Sequence, residues 1–404
     1  MDRKTRVRNA VLFKDVDRPP FDLFDECGSL FTDGHYDPSL RMGLSLKEQI
    51  EARLRFHQEF DTDLIFDAPV IGAGESSYRS HVAPEFADRF EVCAALFTVS
   101  ACLWMPWTPR VVPRPGHSFG ETENIGFVIE WDNGLALPMF VETASGNPSG
   151  YDTLMKDRNE WPLWKQVFTP NLAGFDYSLT DWILEQTGGD VALYGTIICP
   201  FSLVAILLGL EKGITIFLED PEFARELMEF FTAASIEAGR DLIRHGVELL
   251  RIGGAWTSLL GPEMFRELVL PYHRRVSDAL RAVGGLTLLH CCGHVSRMLE
   301  AYAEAGWDGL EPLTPPPLGD TRLEDAKRRV GDRVCLKGNL DPVHVMLEGD
   351  RDSVARAARD CLAAGMPGGG YVFSVADCMA PGTPRAHMEI VADIVHGYQW
   401  SGIN

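Results

Sequence analysis

Two apolar segments of this chain end in residues whose side chains carry soft ligand atoms. The run that begins at Leu286 ends in His290 and Cys292, and the run 371–375 is followed three residues later by Cys378. His-x-Cys with a distant Cys is a ligand set for zinc, and three protein ligands leave one coordination position open for a substrate, as in catalytic zinc sites. The spacing therefore predicts a zinc centre held by His290, Cys292 and Cys378.

The competing interpretation is that these residues belong to the core. A histidine and a cysteine at a strand end are more often core residues than ligands, because free cysteine is among the most buried residue types. If the segment is a strand, Cys291 points away from its two neighbours, which favours Cys292 as the ligand.

Glu311 is the candidate for a fourth ligand, one that an incoming substrate displaces. It interrupts the next apolar segment, Gly-Leu-Glu-Pro-Leu. A carboxylate within an apolar run is costly unless it is paired or bound to a metal ion. The alternative is an inward polar residue that is hydrogen-bonded to its surroundings.

Residues at three other predicted strand ends are further candidates. Asp67 follows a short apolar segment, and Asn339 follows another in the motif Gly-Asn-Leu-Asp-Pro. We interpret both as candidate catalytic residues that face the pocket. Trp256 follows two glycines, which permit a close backbone approach, and its indole either stacks on a large planar cofactor or simply packs.

Alternating strand and helix signals specify how these residues are positioned. Eight strands are predicted, at 21–24, 62–66, 191–198, 248–252, 286–290, 309–313, 334–337 and 371–375. Alternating β and α units of this number indicate an α/β fold, a closed (β/α)8 TIM barrel. Catalytic groups of such barrels lie at the C-terminal strand ends, so the three zinc ligands would share one rim. The alternative is an open doubly wound sheet. Against it, no Gly-rich phosphate-binding motif follows an early predicted strand.

The stretch from about 90 to 177 breaks this alternation. It is rich in proline and contains five of the nine tryptophans, and Asp-Asn-Gly at 132–134 separates two strand-like segments. Asn-Gly between such segments is a strong hairpin signal. We predict one barrel domain over residues 1–404, with a β-hairpin-containing insertion packed over one end of the barrel.

Composition limits the partners and the compartment. The 404 residues carry a net charge of −21, which argues against nucleic acid and against an anionic membrane surface as partners. The N-terminus has no apolar segment typical of a secretory signal. The nine cysteines show no compact spacing framework, so we predict a cytoplasmic protein with mostly reduced thiols. Glycine and proline interrupt the uncharged stretch 191–210, so we interpret it as buried rather than membrane-spanning.

The motifs, in this order, resemble those of the uroporphyrinogen decarboxylase superfamily. Four stretches carry the match, at 195–209, 289–293, 337–342 and 375–384. The likeness covers about residue 190 to the C-terminus, with weaker similarity around 60–69. His290, Cys292 and Cys378 resemble the zinc ligands of the cobamide-dependent methyltransferase branch.

This resemblance implies a zinc-dependent methyltransferase that works with a corrinoid protein. Zinc would activate a thiol as nucleophile or polarise the oxygen of a methyl ether. The aromatic insertion favours a small methylated substrate such as an O-methyl aromatic, so an O-demethylase component is expected. One alternative is transfer from methylcobamide to a thiol such as coenzyme M or homocysteine.

Two further alternatives come from other functional classes. The first is a metal-free tetrapyrrole decarboxylase, because Asp67 lies near the position of that enzyme's catalytic aspartate. Against it, an acidic segment at 21–28 replaces the arginine-rich motif that holds a polycarboxylate. The second is a non-catalytic corrinoid-binding module, which would tolerate loss of the three zinc ligands.

Overall fold

The computed structural model describes residues 1–24, 30–37, 40, 46–66, 110–113, 124–130, 133–142, 148–150, 153–170, 172 and 177–400. Its strands are β1 (Phe31–Thr32), β2 (His35–Tyr36), β3 (Leu64–Phe66), β4 (Arg110–Pro113), β5 (Asn124–Glu130), β6 (Ala136–Glu142), β7 (Pro148–Gly150), β8 (Ala192–Ile198), β9 (Leu249–Gly253), β10 (Leu286–His290), β11 (Gly309–Glu311), β12 (Cys335–Leu340) and β13 (Tyr371–Val375).

A curled parallel sheet forms the centre of the molecule. Its seven strands run in the order β13-β12-β11-β10-β9-β8-β3. The segment at Phe21 closes the gap between the two edges, because Phe21 forms a parallel bridge to Phe373 in β13 and its carbonyl accepts a hydrogen bond from the backbone N–H of Asp63, just before β3. This segment is the predicted first strand, and the predicted barrel is confirmed.

Helices follow the strands on the outside. They are α1 (Arg3–Val11), α2 (Leu46–Phe60), α3 (Trp161–Phe168), α4 (Ser178–Thr187), α5 (Pro200–Leu208), α6 (Leu210–Glu219), α7 (Pro221–Arg244), α8 (Gly261–Met264), α9 (Leu270–Arg281), α10 (Leu299–Glu304), α11 (Leu323–Val330), α12 (Arg351–Gly365) and α13 (Arg385–His396). The long α7 begins as its sequence predicts: Asp220 accepts a hydrogen bond from the backbone N–H of Phe223, and Pro221 occupies the first turn, where its missing N–H costs nothing.

The core has two parts, and together they leave one end of the barrel for the site. Every residue of β10 and β13 is buried, as expected for strands covered on both faces. Most of the core lies between the sheet and the outer helices. The N-terminal end of the barrel is filled by Val7, Ala10 and Val11 of α1 packed on inward residues of the strands, such as Leu288. Among the described residues, the C-terminal rim is the end that α1 does not cover.

The insertion contains the predicted hairpin. Strands β5 and β6 pair antiparallel within a four-stranded sheet, β4-β5-β6-β7, and Gly134 in the connecting turn has φ of 86°. Trp161 and Trp164, which the prediction included among the insertion's aromatic residues, lie in the helix α3 and are buried. Trp161 packs against Phe230 of α7 with ring centroids 5.2 Å apart, so these two indoles serve packing. The single-domain boundary and the insertion's position over the barrel remain predictions.

Among the described residues, no single helix has the length and apolar composition needed to cross a membrane. The consecutive helices α5 and α6 meet those criteria only as a pair, and they are bent by 104°.

Candidate metal centre

Three ligand atoms meet at the C-terminal rim. His290 is the last residue of β10, Cys292 lies two residues further on, and Asp377 lies two residues beyond the end of β13. Their ligand atoms all lie within 4.8 Å of one another. Zinc bonds of about 2.0–2.3 Å at a tetrahedral angle place two ligand atoms roughly 3.3–3.8 Å apart, so a small closure brings the three onto one ion. Imidazole, thiolate and carboxylate are all zinc ligands, so the residues fit the predicted metal.

The hydrogen bonds of His290 define its tautomer. Its Nε2 lies 2.9 Å from Nη2 of Arg251, and its Nδ1 lies 2.9 Å from Oε1 of Glu311. A guanidinium only donates and an ionised carboxylate only accepts. Nδ1 therefore carries the proton and Nε2 presents its lone pair, which is the tautomer that a ligand bound through Nε2 requires.

Glu311 lies beneath the ligand atoms rather than among them. Its Oε1 contacts His290, its Oε2 lies 2.9 Å from Nζ of Lys337, and Arg251 Nε approaches Oε1 to 3.5 Å. Burial by itself would raise the pKa of Glu311, but Lys337, His290 and Arg251 hold the pKa well below its usual range. In this structure Glu311 contacts His290, and its role as a fourth ligand remains a prediction.

Lys337 was not anticipated from the sequence. It lies within β12, is fully buried, and pairs with Oδ2 of Asp22 at 2.8 Å as well as with Glu311. Burial lowers its pKa, but the two carboxylates raise the pKa above the ordinary value. Its ammonium also lies 4.2 Å from the centroid of the Phe24 ring. A charged residue inside an apolar strand segment is the signal that would have identified it, as for Glu311.

Arg251 is the second unanticipated cation. It lies in β9, inside the apolar run Leu-Leu-Arg-Ile, and its side chain is 15% exposed. Its guanidinium carbon lies 5.1 Å from the centroid of Phe24 and 5.6 Å from that of Phe66, within the range of cation–π attraction. The rings and the contact with His290 hold the guanidinium beside the ligand nitrogen.

The two adjacent cysteines have different surroundings. Cys291 is buried, and the hydroxyl of Tyr302 donates to its sulfur at 3.5 Å. Cys292 is an exposed residue of the cluster, yet the protein around its sulfur and the nearby Asp377 raise its pKa to about 12. A cation is therefore needed to stabilise Cys292 as a thiolate, and a metal ion supplies that charge.

Cys378 lies on the same rim but outside the cluster of three. It is exposed, and its backbone N–H donates to Oδ1 of Asp377 at 3.0 Å. Asp377 has φ of 104°, a backbone conformation that residues other than glycine rarely adopt. Asp377 was missed because the sequence reasoning sought a third soft ligand and passed over its neighbour.

The other candidates are placed as follows. Trp256 lies on the loop after β9, with φ of 66° and 39% of its surface exposed. Asn339 makes contacts away from the cluster: its Nδ2 donates to the carbonyls of Leu313 and Thr321 at 3.0 and 3.1 Å. These bonds connect two loops, and the pocket-facing role of Asn339 remains a prediction. Asp67 lies outside the described residues.

Several residues at this rim have strained backbones. Phe24, Trp256, Leu313 and Asp377 all have positive φ, between 52° and 104°. Such conformations cost roughly 1–3 kcal/mol each and tend to cluster at functional sites. The strain marks the same end of the barrel as the ligand atoms.

Comparison with protein families agrees with the fold. The family model described as Uroporphyrinogen decarboxylase (URO-D) matches residues 164–398, more than half of the chain. The chain belongs to the uroporphyrinogen decarboxylase family. The matched part includes His290, Cys292 and Cys378, and the resemblance identified from the sequence is confirmed.

Relatives of two kinds match this URO-D family chain at similar identity. A uroporphyrinogen decarboxylase from Anaeromyxobacter dehalogenans (strain 2CP-C) is 26% identical over 215 residues, covering 52% of this chain and 60% of the relative. Methylcobamide:CoM methyltransferase MtaA from Methanosarcina barkeri is 25% identical over 214 residues, covering 52% and 58%. The chain therefore matches about 60% of the length of these curated relatives.

A solved structure extends the likeness to nearly the whole chain. A methyltransferase from Methanosarcina mazei has a TM-score of 0.63 with 98% of both chains covered, at 17% sequence identity. This similarity concerns the fold, and it shows that a methyltransferase has the same URO-D-like architecture.

Proposed function

We propose that this chain is a zinc-dependent methyltransferase that transfers a methyl group between a small methylated substrate and the cobalt of a corrinoid protein. The observation that carries the proposal is the cluster at the rim: ligand atoms of His290, Cys292 and Asp377 lie within 4.8 Å of one another. The Nε2 of His290 is the unprotonated ring nitrogen, and it accepts a hydrogen bond from Arg251. The similarity to methylcobamide:CoM methyltransferases supports it independently.

We assign His290, Cys292 and Cys378 as the zinc ligands and Asp377 as a fourth ligand that a substrate displaces. Cys378 is exposed on the same rim, and its binding to the zinc requires a shift of the loop that carries it. Asp377 takes the part that the sequence analysis gave to Glu311, because it is a carboxylate within reach of the other ligand atoms.

The chemistry then divides between the metal and the protein. When bound, zinc supplies Lewis acidity, which lowers the pKa of a thiol or polarises the oxygen of a methyl ether. Glu311 accepts a hydrogen bond from the Nδ1–H of His290 and fixes the plane of its ring. Arg251 supplies positive charge beside the ligands. The indole of Trp256 is exposed on a rim loop. There it is suited to stack on a large planar group such as a corrin.

We favour demethylation of a small O-methyl compound, as expected from the aromatic insertion. Transfer from methylcobamide to a thiol is the second candidate, and the observation that favours it is the similarity to methylcobamide:CoM methyltransferases. Both candidates use the same ligands and the same rim, so they differ only in the methyl donor and acceptor.

The first experiment measures the metal content of protein purified without chelator. About one zinc per chain is expected. The loaded protein is then given reduced corrinoid with methyl ethers, or methylcobamide with thiols, and cobalt methylation is followed by absorbance. Chain without bound metal under anaerobic handling, or decarboxylation of uroporphyrinogen in place of methyl transfer, would refute the proposal.

A further inference from the structure

A continuous chain of buried polar contacts leads from Nδ1 of His290, the ring nitrogen that does not bind the metal in the proposed site, into the barrel. Nδ1 of His290 meets Oε1 of Glu311, Oε2 of Glu311 meets Nζ of Lys337, and Nζ of Lys337 meets Oδ2 of Asp22, all at 2.8–2.9 Å. Glu311 and Lys337 are both fully or almost fully buried. The contacts connect β10, β11, β12 and the segment that closes the barrel.

The middle position of this chain requires a carboxylate. Glu311 faces a hydrogen-bond donor on each side, the Nδ1–H of His290 and the ammonium of Lys337. An ionised carboxylate has two acceptor oxygens and satisfies both. A glutamine has one oxygen, so its NH₂ group would face one of the two donors. Both oxygens of Glu311 therefore already accept hydrogen bonds, one from His290 and one from Lys337.

Stability alone does not account for this arrangement. Replacing a buried ion pair by apolar residues of similar volume is often neutral or stabilising. Glu311 of this pair contacts Nδ1 of His290. When a histidine binds a metal ion, the partner of its second ring nitrogen fixes the tautomer and the orientation of the ring. Lys337 fixes Glu311 in turn, by pulling its second oxygen to the far side of the barrel.

We infer that Glu311 and Lys337 are positioning residues for the metal centre: Lys337 holds Glu311 on Nδ1 of His290, which leaves Nε2 as the unprotonated nitrogen and keeps Glu311 from becoming a ligand. The fourth coordination position is thereby left to Asp377 or to a substrate. This inference rests on the proposed metal site and goes beyond it, since it assigns two residues that do not touch the ion.

The test compares zinc affinity, measured by competition with a chromogenic chelator, in four proteins: wild type, Glu311→Gln, Lys337→Met and the double variant. Each single change is expected to weaken zinc binding by about 10- to 100-fold, the range for partners of ligand histidines. The double variant should bind zinc more tightly than Glu311→Gln. With the ammonium gone, the glutamine turns its oxygen to His290 and its NH₂ group toward Asp22.

The matched control is Asp63→Asn. Asp63 is also fully buried and ion-paired, with Arg18 at 2.7 Å, but it lies before β3, at the opposite end of the barrel. This variant should lose stability in thermal unfolding and bind zinc like the wild type. The absorption spectrum of the Co²⁺-substituted protein is a second readout, because its intensity changes if Glu311 becomes an added ligand in Lys337→Met.

The outcomes separate the two proposals. Absence of zinc in the wild type removes the metal site and with it the proposed function. Wild-type zinc affinity in Glu311→Gln and Lys337→Met leaves the metal site standing and overturns the positioning role. Equal weakening in Asp63→Asn also overturns it, because the effect would then follow general stability. Recovery in the double variant, with an unchanged control, supports it.

Discussion

Substitution of Cys378 by serine is expected to lower zinc affinity about 30-fold. Structural zinc sites contribute roughly 10–16 kcal/mol through four ligands, or about 3 kcal/mol for each, and 1.36 kcal/mol corresponds to a factor of ten. When the loop shifts so that Cys378 binds zinc, the hydrogen bond from its backbone N–H to Asp377 is lost. This loss costs about 1 kcal/mol. The rest of the free energy that Cys378 contributes to zinc binding is lost in Cys378→Ser.

Asp377→Asn is the informative comparison. Asparagine keeps an oxygen that coordinates weakly, and we assign Asp377 as a displaceable ligand, so zinc affinity should fall by at most about tenfold. The Co²⁺-substituted wild type should show thiolate charge-transfer absorption of two sulfurs, which falls by about half in Cys378→Ser and persists in Asp377→Asn. Unchanged zinc affinity and absorption in Cys378→Ser, with a large loss in Asp377→Asn, would refute the assignment and leave one thiolate in the site.

Three further predictions concern single side chains. Arg251→Met should increase the zinc affinity of the metal-free protein, measured by chelator competition, because the guanidinium donates to the same Nε2 lone pair that the metal needs; weaker binding would instead make Arg251 a supporting residue. Trp256→Ala should leave zinc content unchanged and raise the corrinoid concentration for half-maximal rate by up to about tenfold, the value of one aromatic contact; an unchanged concentration would assign the indole to packing. Burial lowers the pKa of His273 to about 3, so the unfolded chain binds its proton first and stability should fall as pH drops from about 6.5 toward 3, by up to about 1.4 kcal/mol per pH unit. Denaturant unfolding should show a shallower pH dependence in His273→Phe, and an unchanged slope would contradict this origin.

The strands and the rim were predictable from sequence because parallel strands buried on both faces leave continuous apolar runs. The predicted strand 286–290 is the observed β10, and the run 371–375 is the observed β13. Once eight such runs alternate with helices, their C-terminal ends must meet at one rim. This local pattern also identified His290 and Cys292, and the alternation of side chains distinguished Cys292 from Cys291.

What each polar side chain contacts was decided by tertiary structure alone. Glu311 was recognised as an unusual residue within an apolar run, but its partners come from β9, β10 and β12, which are distant in sequence. A carboxylate beside a histidine fits a fourth ligand or a partner of the second ring nitrogen equally well on sequence grounds. The position of Lys337 on its far side selects the second.

The sequence by itself thus determined the barrel, its family and the edge at which the candidate site lies, because periodicity and motif order are local properties of the chain. Only the tertiary structure decided that Asn339 connects loops, that Asp377 lies among the ligand atoms, and that Arg251 and Lys337 flank the His290–Glu311 pair. These contacts depend on closure of the barrel, which brings side chains from separate strands within hydrogen-bonding distance.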